Sequence, residues 1–434
     1  MSAPEELDRA LARLVTERQK ERLPSVAAAV VRKGEVVWTG AVGTADYDTD
    51  AAATPETQYR IGSITKTFTA TAIMQLRDAG ALDLDDRLEQ HLDGIANGSP
   101  TIRRLLCHLS GLQREAGEMF VEGTSPTEDE LVGVMRDAEL VLRPGEAHHY
   151  SNLAFALLGR VVAQLSDMPY PRYVEERILH LLDLGRTTWM PQPPHAQGYL
   201  VDEHAGTVWK EPATDLGAVA PAGQLWSTVG DLARWATFLA EGEPGVLARE
   251  TVEQMWFPQV MFDPDDWTLA WGLGLMLFAR DGRIYGGHGG AMPGHLAGVY
   301  VERKSGVGAA ALTNSGTRGD MDGLAVALAA KTLELWPDDV EPWRPEQEPP
   351  AEVRALLGRW WSEGNEFVFW WEQGSLRARL AAAPRARPPA VFERDGDGWR
   401  SVSGRERGER LRVDGDRLVW AGYVFTRAQE PFPS

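Results

Sequence analysis

The sequence predicts a mixed α/β chain of the α+β kind, with an antiparallel sheet flanked by helices, followed by a small antiparallel β-barrel. Three observations predict it. The first 335 or so residues hold segments with helical apolar spacing and segments of extended character, with strands gathered near the two ends. A stretch rich in proline and acids, residues 337–350, then breaks both patterns. Beyond it, short apolar runs are split by Gly374, Asp395-Gly396, Gly404 and Asp414-Gly415, the spacing of a small barrel or sandwich.

The 434 residues are 43% hydrophobic and 25% charged, an ordinary soluble globular composition. Net charge is −19, and from residue 351 onward there are 14 arginines, no lysine and 12 acids, so the negative charge lies in the first 350 residues. A field of that sign repels phosphate backbones and anionic lipid, so neither nucleic acid nor a membrane surface is expected as a partner. Cys107 is the single cysteine, which excludes an intrachain disulfide. The start, Met-Ser-Ala-Pro-Glu-Glu, lacks the basic and apolar regions of a secretory signal. No apolar run approaches the roughly 18 residues of a membrane span. The expectation is a cytoplasmic location.

In chain order, Leu7, Leu11, Leu14 and Val15 make one stripe of a helix over residues 4–21. Val26–Val31 and Glu35–Trp38 read as strands turning at Lys33-Gly34. Phe68, Ala72, Ile73 and Leu76 carry a helix that begins at Gly62-Ser63 and ends near Gly80. His108 lies where a helix end runs into a turn, and a histidine satisfying local backbone groups is the simpler reading there. Residues 113–127 are loop-rich and suited to border a cleft. Leu153–Leu165 is an apolar helix. Thr228 and Asp231 have capping-box spacing for a helix reaching Leu239, with Trp226 a candidate cleft residue. Strands follow at Gly272–Phe278 and Arg283–Tyr285, around the Asp281-Gly282 turn, then at Leu296–Val301 and Gly308–Thr313. Met321–Leu335 is a helix to pack on that sheet.

Three stretches carry chemistry. In Gly62-Ser63-Ile64-Thr65-Lys66, residues three apart on a helix share a face, so the Lys66 amine can reach the Ser63 hydroxyl. A serine is a weak nucleophile until a base takes its proton, and a desolvated lysine can do so where arginine cannot. Of six lysines, only Lys66 has a serine three residues before it. The plain alternative is a helix cap beside a solvated lysine. In the second stretch, Pro144-Gly145 marks a turn and Tyr150-Ser151-Asn152 sits on a constrained loop ahead of a helix. A tyrosine there can relay a proton, and an asparagine can hold a substrate amide or the lysine amine. A simple turn capped by Ser151 or Asn152 is the alternative. His148 and His149 have no accompanying ligand set, so no metal or other cofactor is expected. The third stretch, residues 286–294, holds five glycines in nine residues, which lets backbone approach something closely.

Together Ser63-Ile-Thr-Lys66, Tyr150-Ser-Asn152 and His288-Gly-Gly290 resemble the boxes of the penicillin-binding-protein-like serine hydrolases. The nearest branch holds class C β-lactamases, D-amino-acid peptidases and esterases. The resemblance covers about residues 5–335, and the C-terminal part resembles the lipocalin-like barrel that some of these hydrolases append. It implies a hydrolase domain over residues 1–336 with a mainly helical insert at about 81–270, a linker at 337–350 and a barrel at 351–434. It also implies roles: Ser63 attacks and carries the acyl group, and Lys66 and Tyr150 share proton transfer, with the base left open between them. Asn152 holds substrate and orients Lys66. His288, Gly289 and Gly290 lie on the sheet's edge strand, and the N–H groups of Ser63 and Ala291 form an oxyanion hole. Tyr150 in place of serine points to the class C and esterase branch. His288 in place of lysine weakens the positive charge that meets a β-lactam carboxylate.

The expected function is therefore hydrolysis of an ester or amide in a small molecule or short D-peptide. The rivals are a β-lactamase or D-alanyl-D-alanine carboxypeptidase, and a non-catalytic ligand sensor using the same cleft.

Overall fold

The computed structural model describes residues 3–116, 125–202, 204–339, 342–345, 348–384 and 387–430. The chain divides into two compact units, residues 1–338 and 339–434.

The first unit is built on an antiparallel nine-stranded sheet. Its strands are β1 (Ser25–Arg32), β2 (Glu35–Asp46), β3 (Ala51–Ala52), β4 (Val260–Met261), β5 (Leu269–Trp271), β6 (Met276–Arg280), β7 (Arg283–Met292), β8 (His295–Glu302) and β9 (Val307–Thr313). Their order is β3-β2-β1-β9-β8-β7-β6-β5-β4, so the two ends of the unit meet where β1 pairs with β9, Val26 opposite Thr313. Every residue of β1 is buried, which requires cover on both faces.

Strand alternation splits that burial. Val26, Ala28 and Val30 face a layer formed by helices α1 (Glu5–Gln19) and α5 (Met321–Leu335), through Leu7, Leu11, Leu324 and Leu328. Ala27, Ala29 and Val31 face the larger core. That core takes in helices α2 (Thr65–Asp78), α3 (Asn152–Ser166) and α4 (Val229–Glu241). α2 is its centre: eleven of its residues, from Thr65 to Leu76, are buried. Phe68 stacks on Trp235 with ring centroids 3.7 Å apart, and the Trp235 indole donates to Thr67 Oγ1 at 2.8 Å.

Four details depart from the sequence reading. β2 runs eight residues past Trp38 to Asp46, because Thr39-Gly40-Ala41-Val42-Gly43-Thr44-Ala45 is too small-sided to read as a strand yet pairs with β1. The strand expected over Gly272–Phe278 begins at Met276, and Leu269–Trp271 is a separate strand. Thr228 Oγ1 caps α4 by accepting from Asp231 N, but the Asp231 carboxylate turns to Arg186 N and Thr187 Oγ1 instead of closing the box. Trp226 is 3% exposed and pairs with Arg60, away from any cleft wall.

The second unit is an eight-stranded antiparallel meander between Gly358 and Phe425. It closes nearly into a barrel: Trp361 and Thr426 exchange backbone hydrogen bonds at 2.8 and 2.9 Å. Trp360, Phe369, Phe392, Trp420 and Phe425 fill it. Among the described residues no helix is long and apolar enough to cross a membrane.

The stacked pair at the centre gives a direct check. Phe68→Ala should cost about 3–5 kcal/mol in urea unfolding, the range for emptying a large aromatic site in a core. Ile284→Ala, at a side chain 46% exposed, should cost less than about 1 kcal/mol.

Candidate active site

Ser63 sits on a single 3₁₀ turn, Gly62–Ile64, that leads directly into α2. Gly62 has a left-handed φ of 51°, and a Cβ there would meet the Ala291 nitrogen at 2.8 Å. Glycine is needed because β7 passes directly alongside the turn. The helix dipole and the close approach of β7 therefore coincide at Ser63.

Lys66, one turn on, is fully buried. Its Nζ lies 3.0 Å from Ser63 Oγ, 2.8 Å from Asn152 Oδ1 and 2.7 Å from the Ala222 carbonyl. Burial pushes the Lys66 amine well below its ordinary 10.5; Glu115 pulls it back up and Arg114 lowers it further. An uncharged amine has two N–H bonds. The carbonyl oxygens of Asn152 and Ala222 accept both, which leaves the nitrogen lone pair for the Ser63 hydroxyl.

Tyr150 lines the same cleft as Ser63. Burial raises its phenol above the ordinary 10, so the proton stays on oxygen at neutral pH. The Lys66 nitrogen lies 4.9 Å from the centre of the Tyr150 ring. The loop bearing Tyr150 is held by the segment from His108 to Glu115. Ser151 Oγ donates to the Gln113 carbonyl at 2.7 Å and accepts from Ala154 N at 3.0 Å, so Ser151 caps α3. Asn152 N donates to the Arg114 carbonyl at 2.6 Å. The Asn152 amide donates to both Glu115 oxygens, at 2.9 and 3.0 Å, which turns its carbonyl toward Lys66.

The glycine-rich stretch continues the strand expected at Arg283–Tyr285, and residues 283–292 form β7 as one element. β7 is not simply an edge strand: β6 covers it as far as Gly287, and only residues 288–292 present an open edge. The glycines serve close packing on both faces. A Cβ on Gly290 would lie 1.9 Å from the Ile61 carbonyl, and one on Gly289 would lie 2.4 Å from Asp322 Oδ1. β7 is threaded between the Ser63 turn and the start of α5, and Ala291 N is delivered beside Ser63. His288 is 2% exposed. Its Nδ1–H donates to the Gly289 carbonyl at 2.5 Å, which leaves Nε2 as an acceptor. Burial, reinforced by Lys66, pushes this imidazole down to about 3, so it is uncharged at neutral pH.

These residues line one cleft of about 690 Å³, which includes Ser63, Tyr150, Asn152 and the strip His288–Ala291. Several of its walls escaped the sequence reading. Arg114 and Glu115 pair at 3.2 Å just inside the stretch marked as a cleft border, and residues 117–124 of that stretch lie outside the described residues. Trp271 meets Tyr150, His108 and His288 edge-on, with centroids 5.8, 4.8 and 5.4 Å away. Asp322 lines the cleft too, its carboxyl pushed up to about 7, by burial first and then by Asp320. No local motif marks any of the four; each is brought in by a long-range contact. Among the described residues no group of three or more His, Cys, Asp or Glu is poised to hold a metal ion.

Comparison with known proteins agrees with this architecture. The β-lactamase family profile matches residues 11–333, and residues 349–427 match a domain of unknown function, DUF7586. Penicillin-binding protein 4 of Amycolatopsis lactamdurans is 29% identical over 375 residues, 80% of this chain and 96% of its own length. β-Lactamase-like protein 2 of Dictyostelium discoideum is 30% identical over 260 residues, 56% of this chain and 47% of its own, so the match spans about half of that relative. The D-stereospecific amidohydrolase from Streptomyces sp. superposes with a TM-score of 0.63 at 28% identity, over 75% of this chain and 98% of that one. With a matched span reaching from α1 to α5 and a cleft built where the sheet meets the buried helix, the chain belongs to the β-lactamase family.

Proposed function

We propose that this chain is a serine hydrolase that cleaves an ester or amide bond of a small molecule or short D-peptide through an acyl-enzyme on Ser63. The observation that carries the reading is the fully buried Lys66 amine, 3.0 Å from Ser63 Oγ with carbonyl acceptors for both of its hydrogens. The amidohydrolase likeness, at 28% identity over nearly all of that enzyme, supports amides among the substrates.

The steps follow from the charges. Ser63 Oγ attacks the substrate carbonyl carbon while its proton passes to Lys66 Nζ. The N–H groups of Ser63 and Ala291 receive the oxyanion. The Tyr150 phenol, protonated and lining the cleft with Ser63, hands a proton to the departing oxygen or nitrogen and is re-supplied from Lys66. Water then repeats the sequence on the acyl-enzyme. Lys66 is assigned as the base because its uncharged form is favoured by burial, whereas burial disfavours a Tyr150 phenolate.

The same cleft argues against a substrate that needs a cation beside β7. His288 is neutral there, and the lining acids Glu115, Glu211, Asp320 and Asp322 outnumber Arg114, which is paired with Glu115. A β-lactam carboxylate finds no fixed positive charge at that edge. The barrel has no role assigned in this scheme.

Three outcomes test the reading. Ser63→Ala should lower nitrophenyl ester turnover about a thousandfold or more. Lys66→Ala should lose a similar factor and the double variant little beyond it, since the pair acts as a unit. Second, Lys66 must be uncharged to accept the proton, so kcat should fall as pH drops through its depressed pKa and stay high above it. A pH–rate profile whose acid limb is centred near 10.5 would contradict the buried base. Third, His288→Lys should lower KM for a carboxylate-bearing ester about five- to tenfold relative to its neutral counterpart, or ~1–1.4 kcal/mol. Equal KM ratios in the two enzymes would remove the charge argument.

A further inference from the structure

His108 is the one buried histidine of the cleft region whose contacts converge on a single loop. It is fully buried and adopts a left-handed φ of 58°. That backbone turn lets the residue present two acceptors to the same neighbour. Its carbonyl accepts from His149 N at 2.8 Å, and its ring Nδ1 accepts from Ser151 N at 3.1 Å. Between those two N–H groups lies Tyr150, whose ring stacks on the His108 imidazole with centroids 4.2 Å apart and planes 26° apart. Trp271 stands edge-on to both rings.

We propose that His108 is the positioning residue of the Ser63 reaction, clamping the residues on either side of Tyr150 and the Tyr150 ring itself so that the phenol stays at the serine. This rests on the acyl-enzyme reading above.

Each part of the side chain has a separate use. The Nδ1 lone pair satisfies a buried backbone N–H that would otherwise be left unpaired. The flat ring supplies the stacking face. Phenylalanine would supply the face without the acceptor, and asparagine the acceptor without the face. The clamp requires an uncharged ring, because a proton on Nδ1 would oppose the Ser151 N–H. Burial and the neighbouring Lys66, His148, His288 and Arg114 all favour that neutral form. A displacement of the phenol on the order of 1 Å is enough to cost about a hundredfold in rate. His108 does not touch the reacting atoms, so its effect should appear in kcat rather than in substrate binding.

The experiment uses the full chain and normalises kcat to the fraction of Ser63 titrated by a fluorophosphonate, which removes the contribution of misfolded protein. His108→Asn keeps the acceptor and suits a left-handed backbone. Its kcat per titrated site should fall about tenfold with KM within twofold. His108→Ala, lacking both ring and acceptor, should fall about a hundredfold, so that asparagine rescues about tenfold. The proposal is overturned if both variants keep kcat per titrated site within twofold and lose only melting temperature or titratable fraction. It is equally overturned if KM alone rises. Failure of the underlying reading is separable. Full turnover by Ser63→Ala removes the acyl-enzyme itself. An inactive Ser63→Ala alongside normally active His108 variants removes only the clamp.

Discussion

A lysine amine sealed from water at the first turn of a buried helix is the constraint around which the first unit is organised. Such a group is unfavourable to bury charged and must be satisfied in every hydrogen-bonding direction. The structure meets the requirement with one near and two distant parts of the chain: Ser63 on the turn just before the helix, Asn152 at the start of α3, and the Ala222 carbonyl. Removing any of the three leaves a polar atom without a partner in the core. Stability and chemistry therefore share one set of contacts, and the amine's low basicity follows from its surroundings.

The sheet contributes by geometry rather than by charge. β7 has to run between the Ser63 turn and the start of α5, and only glycine at positions 289 and 290 leaves room. Because β6 begins at Met276, opposite Gly287, residues 288–292 of β7 are unpaired on that side. One strand is thus paired on both sides up to Gly287 and unpaired on one side beyond it. The helical side supplies polar atoms, and the unpaired stretch supplies backbone N–H groups next to them.

Much of this was legible in the sequence, and the reasons for the gaps are physical. α1 and α5 announce themselves by apolar spacing, and the Ser63–Lys66 pair by helix periodicity, because those signals are local. The second half of β2 was missed because alanine, glycine and threonine bury little area per residue, so alternation is faint even where pairing is complete. For the same reason apolar alternation marked only Arg283–Tyr285 of β7, and its continuation through residues 288–290 was expected from the resemblance alone. Ser63, Tyr150, Asn152 and the His288–Ala291 strip line one cleft, with Lys66 buried behind Ser63. Glu115, Trp271 and Asp322 were not foreseen, since their meaning comes wholly from which distant residues they touch. Trp226, a candidate cleft residue, is instead paired with Arg60 and buried.

The central claim is that an uncharged Lys66 delivers Ser63 to a carbonyl and leaves the acyl group on that oxygen. Rapid acid quench of the enzyme during nitrophenyl ester turnover, followed by intact-protein and peptide mass spectrometry, tests it most directly. The account predicts a mass gain equal to the acyl group, confined to the peptide containing Ser63 and absent from Ser63→Ala. Steady turnover with no adduct on that peptide, and undiminished turnover by Ser63→Ala, would contradict it.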